Sequence, residues 1–273
     1  MPELPEVESV VQDIRPFVVG KRISSLQVDV PRLIKTDEKE FLSVLPGKRI
    51  ERVERRGKYI LIFFEEEWVL VVHLRMTGGL VYLADSSQIE KYQRVTFFFE
   101  DHSGLAYVDT RTLGTLDLIS KDQLPSWKGL ATLGKEPLDT SLTEKDLEKS
   151  FKNRKGSIKG ALLDQTVIAG LGNIYVDEVL FRSGIHPERP ALSLKKKEIL
   201  KIREEVERVI SEAIHNGGTT FRDYRNGKGE AGKNQFYLKV YGREKKECET
   251  CKGIIQKIRV VGRGTHFCAH CQK

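Results

Sequence analysis

At 273 residues the chain exceeds one typical domain, so two or three are expected. With 39% hydrophobic and 31% charged residues its composition is that of a soluble globular protein, not a disordered one, and its longest apolar run, Tyr59 to Phe64, is far too short to span a membrane. The 46 basic residues outnumber the 39 acidic ones, leaving a formal charge of +7 that suits a polyanionic partner without naming one.

The chain opens Met1-Pro2-Glu3-Leu4-Pro5-Glu6-Val7-Glu8, with no apolar stretch of the secretory kind behind it. A Met followed by Pro is normally trimmed, so the mature chain is expected to begin with a free proline nitrogen. An α-amino group has a reference pKa of about 8, so a useful fraction is neutral at neutral pH, whereas a Lys amine is almost wholly charged. A neutral amine attacks electrophilic carbon, and a secondary amine then yields a cationic iminium that can act as an electron sink. Glu3, adjacent, can move a proton if its pKa is raised. Taken alone, Pro2 reads as an ordinary loose first residue; the far end of the chain changes that.

Val7, Val10, Val11, Ile14 and Val18 follow a helical spacing. Pro5 suits the first turn, Glu6 and Glu8 suit the positive end of the helix dipole, Pro16 is expected to end the helix early, and Gly20 suits the exit. From Lys21 to about Ile119 the pattern is one of short strands: 23–30, Tyr59–Phe64, Trp68–Leu74, Val95–Phe99 and Leu105–Val108. Turn signals such as Arg56-Gly57 and Asp101-His102-Ser103-Gly104 separate them. Such spacing predicts a sandwich or barrel. The segment 122–137, with Pro125, Gly129, Gly134 and Pro137, reads as a domain boundary. Helices follow: Thr143 with Asp146 resembles a capping box, and Ser193 is expected to open a long helix ended by Gly217-Gly218. Gly170-Leu171-Gly172-Asn173 reads as a glycine-rich turn leading to a helix capped by Asn173, where exposed N–H groups attract anions. Residues 217–235 form a long loop.

Cys248-x2-Cys251 and Cys268-x2-Cys271 have the spacing of a structural zinc site. No other cysteine occurs, which fits a reducing cytoplasm. Four thiolates leave no open coordination position, so one Zn2+ here is expected to be structural. Residues 239–273 hold nine Lys/Arg and three Glu. Because four thiolates outweigh the charge of one Zn2+, phosphate attraction there is expected to depend on the placement of Arg259 and Arg263. The run 260–265 reads as a hairpin tip. His73-Leu74-Arg75-Met76-Thr77-Gly78 and Asp109-Thr110-Arg111-Thr112-Leu113-Gly114 lie between strands. Apolar residues there are usually core, but in a DNA-binding protein they can be wedges.

Together, PELPEVE at the start, QTVIAGLGNIYVDE in the middle and GRGTHFCAHCQK at the end resemble the formamidopyrimidine-DNA glycosylase family (bacterial Fpg/MutM), over the whole chain. The resemblance implies a multidomain α+β fold. Its parts are an N-terminal catalytic β-sandwich with flanking helices (1–132), a helix-two-turns-helix domain carrying a lesion loop at 217–235 (133–235), and a four-cysteine zinc finger (236–273). It further implies a monomeric cytoplasmic repair enzyme, acting on damaged double-stranded DNA, that flips an oxidised purine out of the duplex. By motif, Pro2 is the nucleophile at C1′, Glu3 the acid for the opening sugar ring, and Lys58 an assistant near sugar and phosphate. Lys159, Asn173 and Arg263 hold phosphates, and Arg263 also serves δ-elimination. His73, Tyr92, Arg111 and Arg154 fall at DNA-contact positions. Met76, Arg111 and Leu113 fill the gap left by the flipped nucleotide, and the 217–235 loop closes over the base. The sequence departs from the family's commonest pattern at Leu113 (usually Phe), Thr112 (Lys or Arg), Thr77 (often Glu) and Tyr92 (often His). Two rival readings are an endonuclease VIII-like enzyme for oxidised pyrimidines and a non-catalytic zinc-ribbon protein. The GRGTHFC tail and the Met76/Arg111 pair favour the purine enzyme over the first; the second gives Pro2 and Glu3 no task.

Overall fold

The computed structural model describes residues 1–222 and 224–273; Asp223, inside the 217–235 loop, lies outside the described residues. The chain forms two compact units, Met1–Ala131 with Asn216–Lys233, and Thr132–His215 with Asn234–Lys273. The expected zinc-finger segment thus belongs to the second unit, while most of the long loop groups with the first.

In the first unit, α1 (Leu4–Val18) leads into β1 (Ile23–Val28), the short α2 (Glu38–Val44), and strands β2 (Ile50–Arg56), β3 (Tyr59–Phe64), β4 (Trp68–His73), β5 (Gly78–Leu83), β6 (Gln93–Phe99), β7 (Gly104–Asp109) and β8 (Thr115–Ser120). All pairings are antiparallel, in two four-stranded sheets ordered β1-β6-β7-β5 and β2-β3-β4-β8. The sheets share a core with α1: Val7, Val10, Val11 and Ile14 pack with Ile60, Leu70, Val72, Phe97 and Leu116. The far side of β3 and β4 is covered by Leu124, Trp127 and Leu130, from a 3-10 turn and the one-turn α3 (Lys128–Ala131). Burying both faces explains why β3 and β4 are continuous apolar runs.

The sequence pattern omits three strands. β2 carries five charged residues among its seven, and only Ile50 and Val53 face inward; β5 opens on two glycines; β8 alternates too briefly. Nor does Pro16 stop α1, which runs on to Val18. Val18 is fully buried, and a proline so near the end breaks few helical bonds, so packing prevails over local preference.

The second unit holds α4 (Glu144–Phe151), α5 (Ile158–Leu163), α6 (Asn173–Ser183), α7 (Lys196–His215) and the hairpin β9 (Gln256–Val260) with β10 (Arg263–Phe267). The Thr143/Asp146 capping box is present. The long helix begins at Lys196 and not at Ser193, which instead closes a separate 3-10 turn. Between α5 and α6, Gln165 laces the turns: its amide donates to Leu163 O at 2.9 Å and Leu171 O at 2.8 Å, and its carbonyl accepts from Gly170 N–H at 3.0 Å. No helix among the described residues is long and apolar enough to cross a membrane.

Candidate active site and metal centre

Pro2 and Glu3 are both buried, with Met1 exposed ahead of them. Glu3 is the N-cap of α1 in a reciprocal capping box, its side chain facing the Glu6 N–H while Glu6 Oε2 accepts the Glu3 N–H at 2.8 Å. Glu6 does more than complement a dipole. It is 1% exposed, and its Oε1 accepts Thr219 N–H at 2.7 Å. The buried Tyr224 hydroxyl donates to Glu6 O at 3.2 Å. One carboxylate therefore joins the N-terminus to the 216–233 loop.

Lys58 follows Gly57 in the β2–β3 turn, and it too is buried. That turn is tied to α1: Glu8 Oε2 accepts Arg55 Nε at 2.7 Å, and Arg55 Nη1 donates to Gly57 O at 3.2 Å. His73 is buried, and its Nδ1 accepts the Arg75 N–H at 2.9 Å. Burial, then the nearby Arg75 and Lys58 charges, bring its pKa down to about 3. His73 is thus a neutral buttress under the turn; with its ring enclosed, it is not placed as the expected DNA contact.

Two crossovers between the sheets run side by side, 74–77 linking β4 to β5 and 110–114 linking β7 to β8. Each has a non-glycine residue in the left-handed region, Arg75 at φ 53° and Thr112 at φ 50°. They present Met76 at 41% and Leu113 at 46% exposure, with Arg111 exposed between them. Tyr107 lies beneath, its phenol pushed up by burial and by Asp109 and so kept protonated. Arg32 donates to the Thr112 hydroxyl, so a guanidinium stands at that turn although residue 112 is uncharged. Tyr92, at φ 64°, is half exposed with the Lys91 and Arg94 charges over its ring. A pocket of about 330 Å³ opens beside these turns, lined by Thr77, Tyr92, Asp109, Arg222 and Arg225 among others.

In the second unit, Gly172 is the N-cap of α6, and Asn173 is its first helical residue, not the cap expected from sequence. The Asn173 amide donates to Gly264 O at 2.9 Å, and its buried Oδ1 has no hydrogen-bond partner among the described residues. The hairpin loop Val261-Gly262 has φ 44° and 75°, as the primed two-residue turn requires. It leaves Arg263 exposed, one residue from the carbonyl Asn173 holds. Arg154 is half-buried and paired with Asp164 at 2.7 Å.

Lys159 departs from expectation. Its side chain is wholly buried, bonded to Asp177 Oδ1 at 2.6 Å and Thr265 Oγ1 at 2.8 Å. The ammonium is enclosed against the hairpin it anchors, and its observed partners are Asp177 and Thr265, not an open phosphate-facing surface. Nothing local to Lys159 signals this, because its partners lie 18 and 106 positions away.

The four cysteine Sγ atoms lie within 4.8 Å of one another, with Cys251–Cys268 at 3.4 Å and Cys248–Cys271 at 3.9 Å. Tetrahedral zinc with four thiolates requires S···S separations of about 3.8 Å. Burial and the surrounding thiols push Cys271 up. At Cys248 burial also raises, but the Cys251 and Thr250 N–H groups together with the Cys268 and Cys251 thiols bring it down to about 7. Thiols crowded this way cannot all ionise unless a cation sits among them, so the donor set fits one structural Zn2+.

Residues 1–116, 133–225 and 245–273 match, in turn, the family models for the formamidopyrimidine-DNA glycosylase N-terminal domain, its H2TH domain, and the zinc finger found in FPG and IleRS. The formamidopyrimidine-DNA glycosylase of Brevibacillus brevis is 46% identical over 276 aligned residues, covering 100% of this chain and 99% of that one. The chain belongs to the formamidopyrimidine-DNA glycosylase family. The Streptococcus pneumoniae glycosylase is 43% identical with 100% and 99% coverage. Among solved structures, a Lactococcus lactis FPG point mutant bound to Fapy-dG-containing DNA matches with TM-score 0.94 and 38% identity, covering 100% of both chains. The Lactococcus lactis Fpg with abasic-site DNA matches at TM-score 0.93 and 38% identity, covering 99% of both. Read by sequence, Glu6 has only a helix-dipole role and Asp109 is only the first residue of an inter-strand run. Both are carboxylates that collect backbone N–H groups, and only the fold reveals that.

Proposed function

We propose that this chain is a base-excision repair enzyme, a DNA glycosylase and abasic-site lyase that removes oxidised purines such as 8-oxoguanine and formamidopyrimidines from double-stranded DNA. The observation that carries the reading is the held N-terminus: Pro2 is buried and Glu3 is fixed by a capping box to a helix packed in the sandwich core. Such anchoring suits a nucleophile that must meet one carbon atom.

Removal of Met1 frees the Pro2 nitrogen. Its lone pair bonds to C1′, the base leaves with its bonding electrons, and Glu3 gives a proton to the ring oxygen as the sugar opens. The nitrogen's proton passes to the departing base, and the nitrogen lone pair forms the cationic iminium as the C1′–O4′ bond breaks. Proton loss from C2′ then expels the 3′ phosphate, and a second elimination expels the 5′ phosphate. Lys58 supports the sugar and phosphate from its turn, and Arg263 assists the second elimination. Asn173, Arg154, Tyr92 and Arg111 take backbone and opposite-strand contacts. Met76 and Leu113 occupy the gap left by the extruded nucleotide. The zinc ion fixes the fold of the finger, which presents Arg263 on the hairpin. We place the enzyme in the cytoplasm as a monomer, working as the three segments 1–132, 133–235 and 236–273.

Borohydride trapping on an 8-oxoguanine duplex tests the reading. The mature chain is expected to become covalently attached to DNA, and a form that retains Met1 is not. Equal trapping of both forms would falsify the Pro2 mechanism. Preferential excision from oxidised-pyrimidine duplexes in the same assay would shift the substrate class.

A further inference from the structure

We propose that Asp109 is the positioning residue that locks the Met76 and Leu113 turns into one rigid wedge, an inference that rests on the extrusion role given to those side chains above. Asp109 ends β7 and is fully buried. Its Oδ1 accepts the Thr77 hydroxyl and the Arg111 N–H, the latter at 3.1 Å. Its Oδ2 accepts the Leu113 and Gly114 N–H groups, both at 2.9 Å. Thr77 Oγ1 closes the circuit by accepting the Arg111 N–H at 3.1 Å. The main chain of Asp109 reaches a third element: its N–H donates to Tyr92 O at 3.0 Å, and its carbonyl accepts Arg94 Nε at 2.9 Å.

One residue thus joins Thr77, Arg111 and Leu113 through its carboxylate and the Tyr92 turn through its main chain. Met76 and Leu113 stand nearly half exposed, so side-chain packing gives them little support. A wedge that presses on a base stack transmits the reaction force to its own backbone. Here that backbone is in unfavourable left-handed conformations at Arg75 and Thr112, which persist only where surroundings over-determine them. Asp109 and Tyr107 together supply that determination. The Tyr107 hydroxyl fills the space under Gly78 and Gly114, where a Cβ would lie 2.4 Å and 1.6 Å from it. Two acceptor oxygens suit these donors; an amide in place of the carboxyl group would turn an NH2 group toward N–H groups.

The test compares Asp109→Asn, Leu113→Ala and the double variant in three assays. These are excision from an 8-oxoguanine duplex, cleavage of a preformed abasic duplex, and the fluorescence change of 2-aminopurine beside the lesion, which reports unstacking. Asp109→Asn is expected to lower kcat/KM on the lesion by about tenfold or more and to slow the 2-aminopurine step, with abasic cleavage reduced less than about threefold. Because Asp109 acts in part through Leu113, the double variant should lose clearly less than the product of the two single losses. Equal losses on both duplexes, or additive losses in the double variant, overturn the proposal. If Asp109→Asn does not fold, Thr77→Val decides instead, since it removes one donor and keeps the carboxylate; a wild-type 2-aminopurine rate then overturns it. Should Leu113→Ala itself treat the two duplexes alike, the wedge reading fails and takes this proposal with it.

Discussion

Glu6 Oε2 accepts the backbone N–H of Glu3 at 2.8 Å, so the first turn of α1 is closed by a carboxylate that also holds Thr219. Glu6→Gln keeps the size but leaves one oxygen for two N–H groups. Loosening the Pro2-Glu3 segment should lower kcat by about 10- to 100-fold, since small misplacements of a reacting group are costly. Affinity for duplex DNA should change little. Single-turnover kinetics beside a binding titration read the two apart, and an unaltered kcat in a folded variant contradicts the restraint.

His73 makes stability depend on pH. Its folded pKa is about 3 against an ordinary 6.5. Between those values the unfolded chain carries a proton on this residue that the folded chain does not. Stability therefore rises with pH: the contribution is fully present above about pH 6.5 and fades as pH falls toward about 3, at up to about 1.4 kcal/mol per pH unit. His73→Gln cannot take up that proton. Urea midpoints measured at several pH values from mildly acid to neutral should fall less steeply for the variant; parallel slopes would show that burial of His73 is not the cause.

Lys159 separates a buried strut from a phosphate ligand. Lys159→Met leaves Asp177 buried without its cation, at a cost of about 3–5 kcal/mol. Deleting a cation that neutralises a phosphate would reduce the salt dependence of DNA binding by about one unit of slope, so an unchanged slope is expected here. Thermal melts and affinity at graded salt give both readings. A stable variant with a reduced slope would restore the phosphate role.

The zinc site should bind one ion per chain. Its removal by thiol modification or a strong chelator should abolish tight duplex binding, because metal and folding free energies are linked in such fingers. Readdition of Zn2+ after chelation should recover it. Metal analysis with a gel-shift assay checks both; duplex binding retained by the metal-free chain would sever the link.

Several of these features were legible before any fold was known, because they are set by local chemistry. The two Cys-x2-Cys pairs announce their metal through spacing. The expectation of a nucleophile at Pro2 rests on its place in the chain taken together with the motifs that follow it. Tyr59–Phe64 and Trp68–His73 read as strands because both their faces are buried. What only the tertiary structure decided is which groups are enclosed and by what. Lys159 and His73 look like surface residues in the sequence, yet one is consumed by Asp177 and Thr265 and the other tucked beneath Arg75. Asp109 and Glu6 look like surface acids, yet each gathers N–H groups from distant turns. The reason is physical: a residue's own type fixes which bonds it can make, but burial and the partner are properties of chain segments that meet only when the core closes.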